Sequence, residues 1–325
     1  MHPAFSVIFL TTLIGTGQGF FLALYTAQVY SSVELLPAQP AGFYTLGSAI
    51  VLAFLLAGLV ASFFHLGHPE RAWRSAARWR TSWLSREVIV LPALMGAVAL
   101  YGAIHYFGWN LSVIGLQPMA HGDFSLLVGA GGVVLVFLLF LCTGMIYACI
   151  KFLQEWATWL TVVNYTLFGI ASGFLFATAY AAYQAPALVR FYGVWTLIIT
   201  FAVMVTRVAS LLRNRRLKHK STLQTAIGVR HQRIAQKSQG FMGGSFNTRE
   251  FFHGAAPWKF RAVKWVFLIV VFPLSMLLLF FGMASTSAAP IAAAFVVQYL
   301  GLLAERWFFF AQANHPQNLY YQVVS

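Results

Sequence analysis

Gly129-Ala130-Gly131-Gly132-Val133-Val134-Leu135-Val136-Phe137-Leu138-Leu139-Phe140-Leu141-Cys142-Thr143-Gly144-Met145 runs without a charged side chain, and the chain stays uncharged to Ile150. About 20 apolar residues suffice for a helix to cross the hydrocarbon core of a bilayer, so 123–150 reads as a membrane span. The small residues at its start allow another helix to approach closely. Outward from it, seven more runs of this kind occur, at 5–30, 42–66, 86–107, 158–182, 189–212, 260–283 and 288–311. In lipid every backbone polar group must be satisfied internally, so only helices or closed barrels cross. These runs are too long and too uniformly apolar for barrel strands. The expected fold is all-α, a bundle of eight transmembrane helices forming a single transmembrane domain over 1–325.

Composition agrees. The chain is 60% hydrophobic and only 9% charged, with a mean hydropathy of +0.74, outside the range of a soluble domain. The net charge of +14 invites a nucleic-acid reading. The basic residues lie between spans rather than on a soluble domain, so no nucleic-acid partner is expected. Cys142 and Cys149 share one apolar stretch with no CxxC spacing and read as small packing residues. The first 30 residues have neither a positive start nor a small-residue cleavage site, and read as a retained span.

The connections sort by charge. Residues 67–86 carry Arg71, Arg74, Arg78, Arg80 and Arg86, Lys151 follows the fourth span, and 213–259 holds ten further Lys and Arg. The facing loops 31–41, 108–122, 183–188 and 284–287 hold none, and only Arg190 lies near that side. Lys and Arg are retained on the cytoplasmic side, so both termini and the basic segments are expected there. Orientation accounts for most of these charges. The segment 213–259 is longer than a turn needs and sets Phe246, Phe251 and Phe252 among Gly and Arg. It reads as a cytoplasmic loop that docks a partner protein, with lipid head-group contact or disorder as the alternatives.

Ionisable residues at membrane depth are costly and mark candidate sites. His65 ends the second span, Glu87 opens the third just after Ser85 and Arg86, and Glu305 and Arg306 lie near the end of the eighth. Gln18 sits near the middle of the first. All but Gln18 fall near the basic side, so four helices are expected to converge on a pocket in that leaflet. An imidazole and a carboxylate among Phe and Leu suit a quinone head group, which needs hydrogen bonds and protons. Each residue also has a plainer reading. His65 ends a span where water reaches it, Glu87 favours a helix start, and Glu305 and Arg306 fix packing. Trp73, Trp79 and Trp83 read as interfacial anchors. A bis-histidine haem needs two imidazoles at one depth from different helices. His105 with His121 is the nearest approach to such a pair, and haem is not expected. Two cysteines supply no iron–sulfur ligand set, and no metal site is expected.

The stretch His65-Leu66-Gly67-His68-Pro69-Glu70-Arg71-Ala72-Trp73, followed by Leu84-Ser85-Arg86-Glu87, resembles the anchor subunit of DMSO reductase. Glu305-Arg306-Trp307-Phe308 is similar to that family's last span. The resemblance covers the whole chain and implies eight spans, a molybdopterin catalytic subunit and an iron–sulfur electron-transfer subunit as partners, and a quinone (ubiquinone or menaquinone) bound beside the nearest cluster. It places the quinone-site histidine on His65, with Arg71, Ser85, Glu87 and Glu305 as neighbours. The sequence departs from the DMSO reductase anchor in the 213–259 insert and in its sidedness, since the positive-inside reading puts the His65 side in the cytoplasm of a bacterial inner membrane. Residues 240–253 and the tail 314–321 look similar to the family's cytoplasmic sulfite dehydrogenase subgroup. The implied role is to pass electrons from sulfite oxidation to quinone. A quinol-oxidising reductase of the same family is the alternative. A transporter would show paired halves with mid-membrane charges, but no internal repeat is visible; a plain anchor without quinone chemistry is the remaining reading.

Overall fold

A computed structural model describes residues 4–109, 123–218 and 257–313, with residues 222, 224–225, 228–231 and 233–234 between the last two blocks. The helices are α1 (Phe5–Ser32), α2 (Ala41–Phe63), α3 (Trp83–Phe107), α4 (Asp123–Ala148), α5 (Trp159–Gln184), α6 (Val189–Arg215), α7 (Trp258–Ala284) and α8 (Ala288–Ala311). All eight are long and apolar enough to cross a membrane, and no strand occurs among the described residues. The protein is a polytopic all-α membrane protein. Most of the segment 213–259, the tail 314–321 and His121 fall outside the described residues.

The hub of the bundle is α1, buried along much of its length and packed chiefly against α5 and α2. Glycine makes the α1–α5 crossing close. Gly15 and Gly19 on α1 face Gly169 and Gly173 on α5, two G-x-x-x-G pairs. A Cβ built on Gly19 would sit 2.1 Å from the Gly169 carbonyl oxygen, and one on Gly173 would sit 2.1 Å from the Gly19 carbonyl carbon. The expected small-residue packing on α4 is present at Gly129 and Gly132, which receive Tyr25 and Phe21, whereas Gly131 faces open space.

On the outer surface, Val134, Phe137, Leu138, Ile198, Phe201, Leu277, Phe280 and Phe281 are exposed. In a bilayer these side chains meet acyl chains rather than water. α7 carries a five-residue π turn, Val270–Leu274, which contains Pro273. Proline lacks an N–H, and a local π adjustment is a known way to accommodate it within a spanning helix. The turn lies against Gly301 of α8, where a Cβ would come within 2.7 Å of Val271.

Ile8 at the start of α1 packs in one cluster with Phe309, Phe310 and Ala313 at the end of α8, so the described ends of the polypeptide share one end of the bundle. The same cluster holds Leu153 and Trp156 of the α4–α5 connection. That connection is pinned where Trp156 Nε1 donates to the Phe309 carbonyl (2.9 Å) and Arg213 donates to the Gln154 carbonyl (3.0 Å). Of the two cysteines, Cys142 is buried as expected; Cys149, at the helix end, is exposed and is not a packing residue.

Candidate functional site

In the half of the bundle beside the basic connections, α1, α3, α4 and α5 enclose a small cavity. Leu10, Thr11, Ile14, Gly15 and Gln18 line it from α1, Glu87 from α3, Phe140 and Thr143 from α4, and Tyr165 from α5. The side chains are positioned by ordinary helix geometry. α3 begins at Trp83, after Ser82, whose hydroxyl accepts the Ser85 N–H at 3.4 Å. Glu87 therefore lies just beyond the first turn rather than opening the helix, and it points into the bundle. There its Oε1 accepts a hydrogen bond from Thr143 Oγ1 at 2.5 Å. Gln18 donates from Nε2 to the Val136 carbonyl on α4 at 3.0 Å, which ties the two helices at mid-depth. The cavity measures about 10 Å³, enough for roughly one water molecule.

Behind Tyr165 lies a second polar group. Arg207 of α6 reaches Glu305 of α8 at 2.8 Å, and Arg306 reaches the other carboxylate oxygen at 3.5 Å. The Arg207 and Glu305 side chains are 2% and 1% exposed, so the pair is fully withdrawn from water. The Arg306 guanidinium lies 3.7 Å from the centre of the Tyr165 ring, while Arg207 lies 5.6 Å from that of Phe267. Aromatic faces stabilise cations most when both are desolvated. Two guanidiniums share one carboxylate, leaving this trio with one positive charge in excess. Tyr165 is thus common to both features: it lines the cavity and lies under the Arg306 guanidinium. Its ring stacks on that of Tyr147, with centres 5.4 Å apart. The buried Tyr165 hydroxyl makes no hydrogen bond of good geometry.

The expected pocket residues therefore divide. Gln18 and Glu87 meet in the cavity, and Glu305 and Arg306 adjoin it through Tyr165. Ser85 is buried in the first turn of α3 but does not line the cavity. His65 does not end the second helix. α2 stops at Phe63, the approaching Gly67 and Pro69 being unsuited to helix, and His65 follows exposed. Partial burial still moves its imidazole below the usual value of 6.5. Arg71 is exposed on a short 3-10 segment, Pro69–Arg78, 3.6 Å from Glu70. Arg86 holds this segment to α3, donating to the Trp79 and Arg80 carbonyls at 2.9 and 2.8 Å and covering the Trp83 ring. Trp73 and Trp79 are exposed, as interfacial anchors would be; Trp83 is half-buried. His105 is buried, stacked on Tyr44 with ring centres 4.6 Å apart and edge-on to Tyr101 at 4.7 Å.

Sequence reading missed Arg207, Thr143 and Tyr165. Arg207 carried a usable signal: it is a guanidinium inside the sixth apolar run, which alone makes a residue a candidate. Thr143 and Tyr165 had none, because Thr and Tyr are common in spans and only the rotation of α4 and α5 turns these two inward.

The profile of the DMSO reductase anchor subunit (DmsC) matches residues 1–311. The polypeptide is 56% identical over 326 residues to the C subunit of sulfite dehydrogenase from Allochromatium vinosum, with 100% of both proteins covered. It is 32% identical over 74 residues to the C subunit of the anaerobic dimethyl sulfoxide reductase from Haemophilus influenzae, a match spanning 23% of this protein and 24% of the other.

Proposed function

The protein belongs to the DMSO reductase anchor subunit family, and from that premise we propose that it delivers electrons from cytoplasmic sulfite oxidation to a membrane quinone. It is the membrane anchor subunit of a DMSO reductase-like or sulfite dehydrogenase complex. Full-length identity to a sulfite dehydrogenase subunit favours sulfite as the donor. In this reading an iron–sulfur subunit and a molybdopterin catalytic subunit dock on the basic face, formed by 67–86 and 213–259, in the cytoplasm of a bacterial inner membrane. The molybdenum chemistry and the clusters belong to those partners.

The observation that carries the quinone reading is the meeting of Glu87, Thr143, Tyr165 and Gln18 in one cavity in the half of the bundle beside the basic connections, next to the buried Arg207–Glu305–Arg306 cluster. Glu87 is the only carboxylate lining it, and Thr143 holds that carboxylate in place. Sulfite and water give sulfate, two protons and two electrons; a quinone takes up two electrons and two protons to become quinol. Glu87 supplies one of these protons and His65, nearer the aqueous face, relays protons from the cytoplasm. The excess positive charge behind Tyr165 favours a head group that has gained electrons ahead of protons. Pockets for drug-sized ligands measure roughly 300–1,000 Å³, so in this reading the cavity widens on binding, with the Glu87–Thr143 contact parting to admit the ring. Arg71 and Ser85 act from outside, Arg71 on the docking surface and Ser85 from the buried side of the first turn of α3.

Electrons and protons both come from the cytoplasm, so turnover moves no net charge across the membrane. The test uses vesicles containing the whole complex, with sulfite as donor. Quinone reduction without a membrane potential is expected; a sustained potential generated by this complex alone overturns the scheme. Sulfite-dependent reduction of a soluble dye with no quinone reduction under any condition would reduce the protein to a plain anchor.

A further inference from the structure

A wide cleft lies far from the cavity above, at the end of the bundle opposite the basic connections. It measures about 620 Å³ and opens between α6, α7 and α8. Val194, Phe280, Met283 and Ile291 form its apolar walls, and Arg190 stands at its rim.

Three observations give this cleft a chemistry. Arg190 is the one Lys or Arg near the facing loops, among 21 in the sequence. Basic residues are held back from that side of a membrane, so one placed there has a local use. It is exposed and forms no ion pair among the described residues. Beside it, α8 begins at Ala288 after Ser287, with no side-chain cap and no acidic residue in its first turn. Ser287 N–H is taken up by the Gly282 carbonyl and Pro290 has none, which leaves the N–H groups of Ala288 and Ala289 to add positive potential where Ser287 and Ala288 line the cleft. Finally, Phe280 and Val194 are exposed on the outer surface, so the apolar walls are continuous with the face that meets lipid.

A cation and a helix start at head-group depth, above an apolar cleft facing the bilayer, match the two halves of one molecule. We propose that this cleft binds an anionic phospholipid, its phosphate held by Arg190 and the start of α8 and one acyl chain lying between α6 and α7 along Val194, Phe280 and Met283. A zwitterionic lipid fits the cleft equally well but brings its own cation to Arg190. The site therefore selects by net charge, by the roughly fivefold that one basic residue near a membrane surface contributes.

The test is native mass spectrometry of the purified complex that includes this subunit, delipidated and then titrated with phosphatidylglycerol or phosphatidylcholine. The intact complex is expected to retain one phosphatidylglycerol with about fivefold preference. Arg190→Gln should lose the preference and Arg190→Lys should keep it. Lys151→Gln, the same charge loss at the basic end but outside the proposed docking face, should leave it unchanged, and Val194→Trp should lower retention of both lipids by filling the cleft. Undiminished preference in Arg190→Gln overturns the proposal. So does displacement of the lipid by millimolar inorganic phosphate alone, which would mark a free-anion site. Co-purified quinone that disappears in Val194→Trp would assign the cleft to quinone and overturn it as well.

Discussion

Arg207 and Glu305 come from α6 and α8 and meet at 2.8 Å in the bundle interior, where Arg306 reaches the second oxygen of the same carboxylate at 3.5 Å. One acid holding two buried cations makes the three residues unequal. Glu305→Gln leaves two guanidiniums side by side without a counter-charge and is expected to cost about 3–5 kcal/mol, the usual penalty for breaking a buried pair. Arg207→Leu leaves Glu305 paired with Arg306 and should cost clearly less. Thermal unfolding of the detergent-solubilised complex ranks the two variants. The reverse order would mean that the carboxylate is not the centre of the cluster.

Tyr165 tests a different feature of this region. Its buried hydroxyl makes no hydrogen bond of good geometry and has the Tyr147 hydroxyl as a side-chain neighbour, so its removal gives up little. Tyr165→Phe keeps the ring under Arg306 and should leave the melting temperature unchanged or raise it. Quinone reduction should nevertheless fall, because the hydroxyl at the cavity is then absent. Tyr165→Leu removes the aromatic face 3.7 Å from the guanidinium and should destabilise. Equal stability of the Phe and Leu variants would show that the cation–aromatic contact contributes nothing.

Glu87→Gln keeps the size of the side chain and its contact with Thr143 but cannot transfer a proton. Quinone reduction is expected to fall by about 10²–10⁴, the usual range for a lost acid–base group. Dye reduction by the catalytic subunits should persist. Thr143→Val, which frees the carboxylate without removing it, should show a smaller loss. Stopped-flow quinone reduction and a dye assay on the same preparation separate the two activities.

His65 offers a dependence on pH. Partial burial lowers its pKa from 6.5, so the imidazole is neutral at pH 7 and protonates only on further acidification. If it relays protons as the neutral form, wild-type quinone reduction should break downward on the acid side, below pH 6.5. His65→Ala should be slow throughout and lack that break. An identical profile in both proteins removes His65 from the path.

The α1–α5 crossing makes a prediction independent of function. Gly173→Ala places a methyl group against the backbone of Gly19, forcing the helices apart, with an expected cost of about 1–3 kcal/mol. Gly131→Ala meets nothing within 4 Å and should be neutral. Similar melting temperatures for the two variants would place the close crossing elsewhere.

About half of the site is legible in the sequence. Glu87, Glu305 and Arg306 stand out because charge at membrane depth is rare, and that logic extends to Arg207. His65 reads as the end of a helix that in fact stops two residues earlier, since hydropathy continues through Phe63 and Phe64 while the backbone already turns toward Gly67 and Pro69. G-x-x-x-G at 15–19 and 169–173 is visible, but nothing in a single sequence says that these two motifs face each other.

What the amino-acid sequence determined alone is the number of spans and the asymmetry of charge between their ends, because transfer of each segment into lipid is a property of that segment's own composition. Only the tertiary structure decided that Glu305 finds Arg207, that Thr143 holds Glu87, and that Tyr165 stands between cavity and cluster. Helices in a uniformly apolar setting take their rotation and depth from side-chain packing between neighbours, and that information is shared among segments far apart in the sequence.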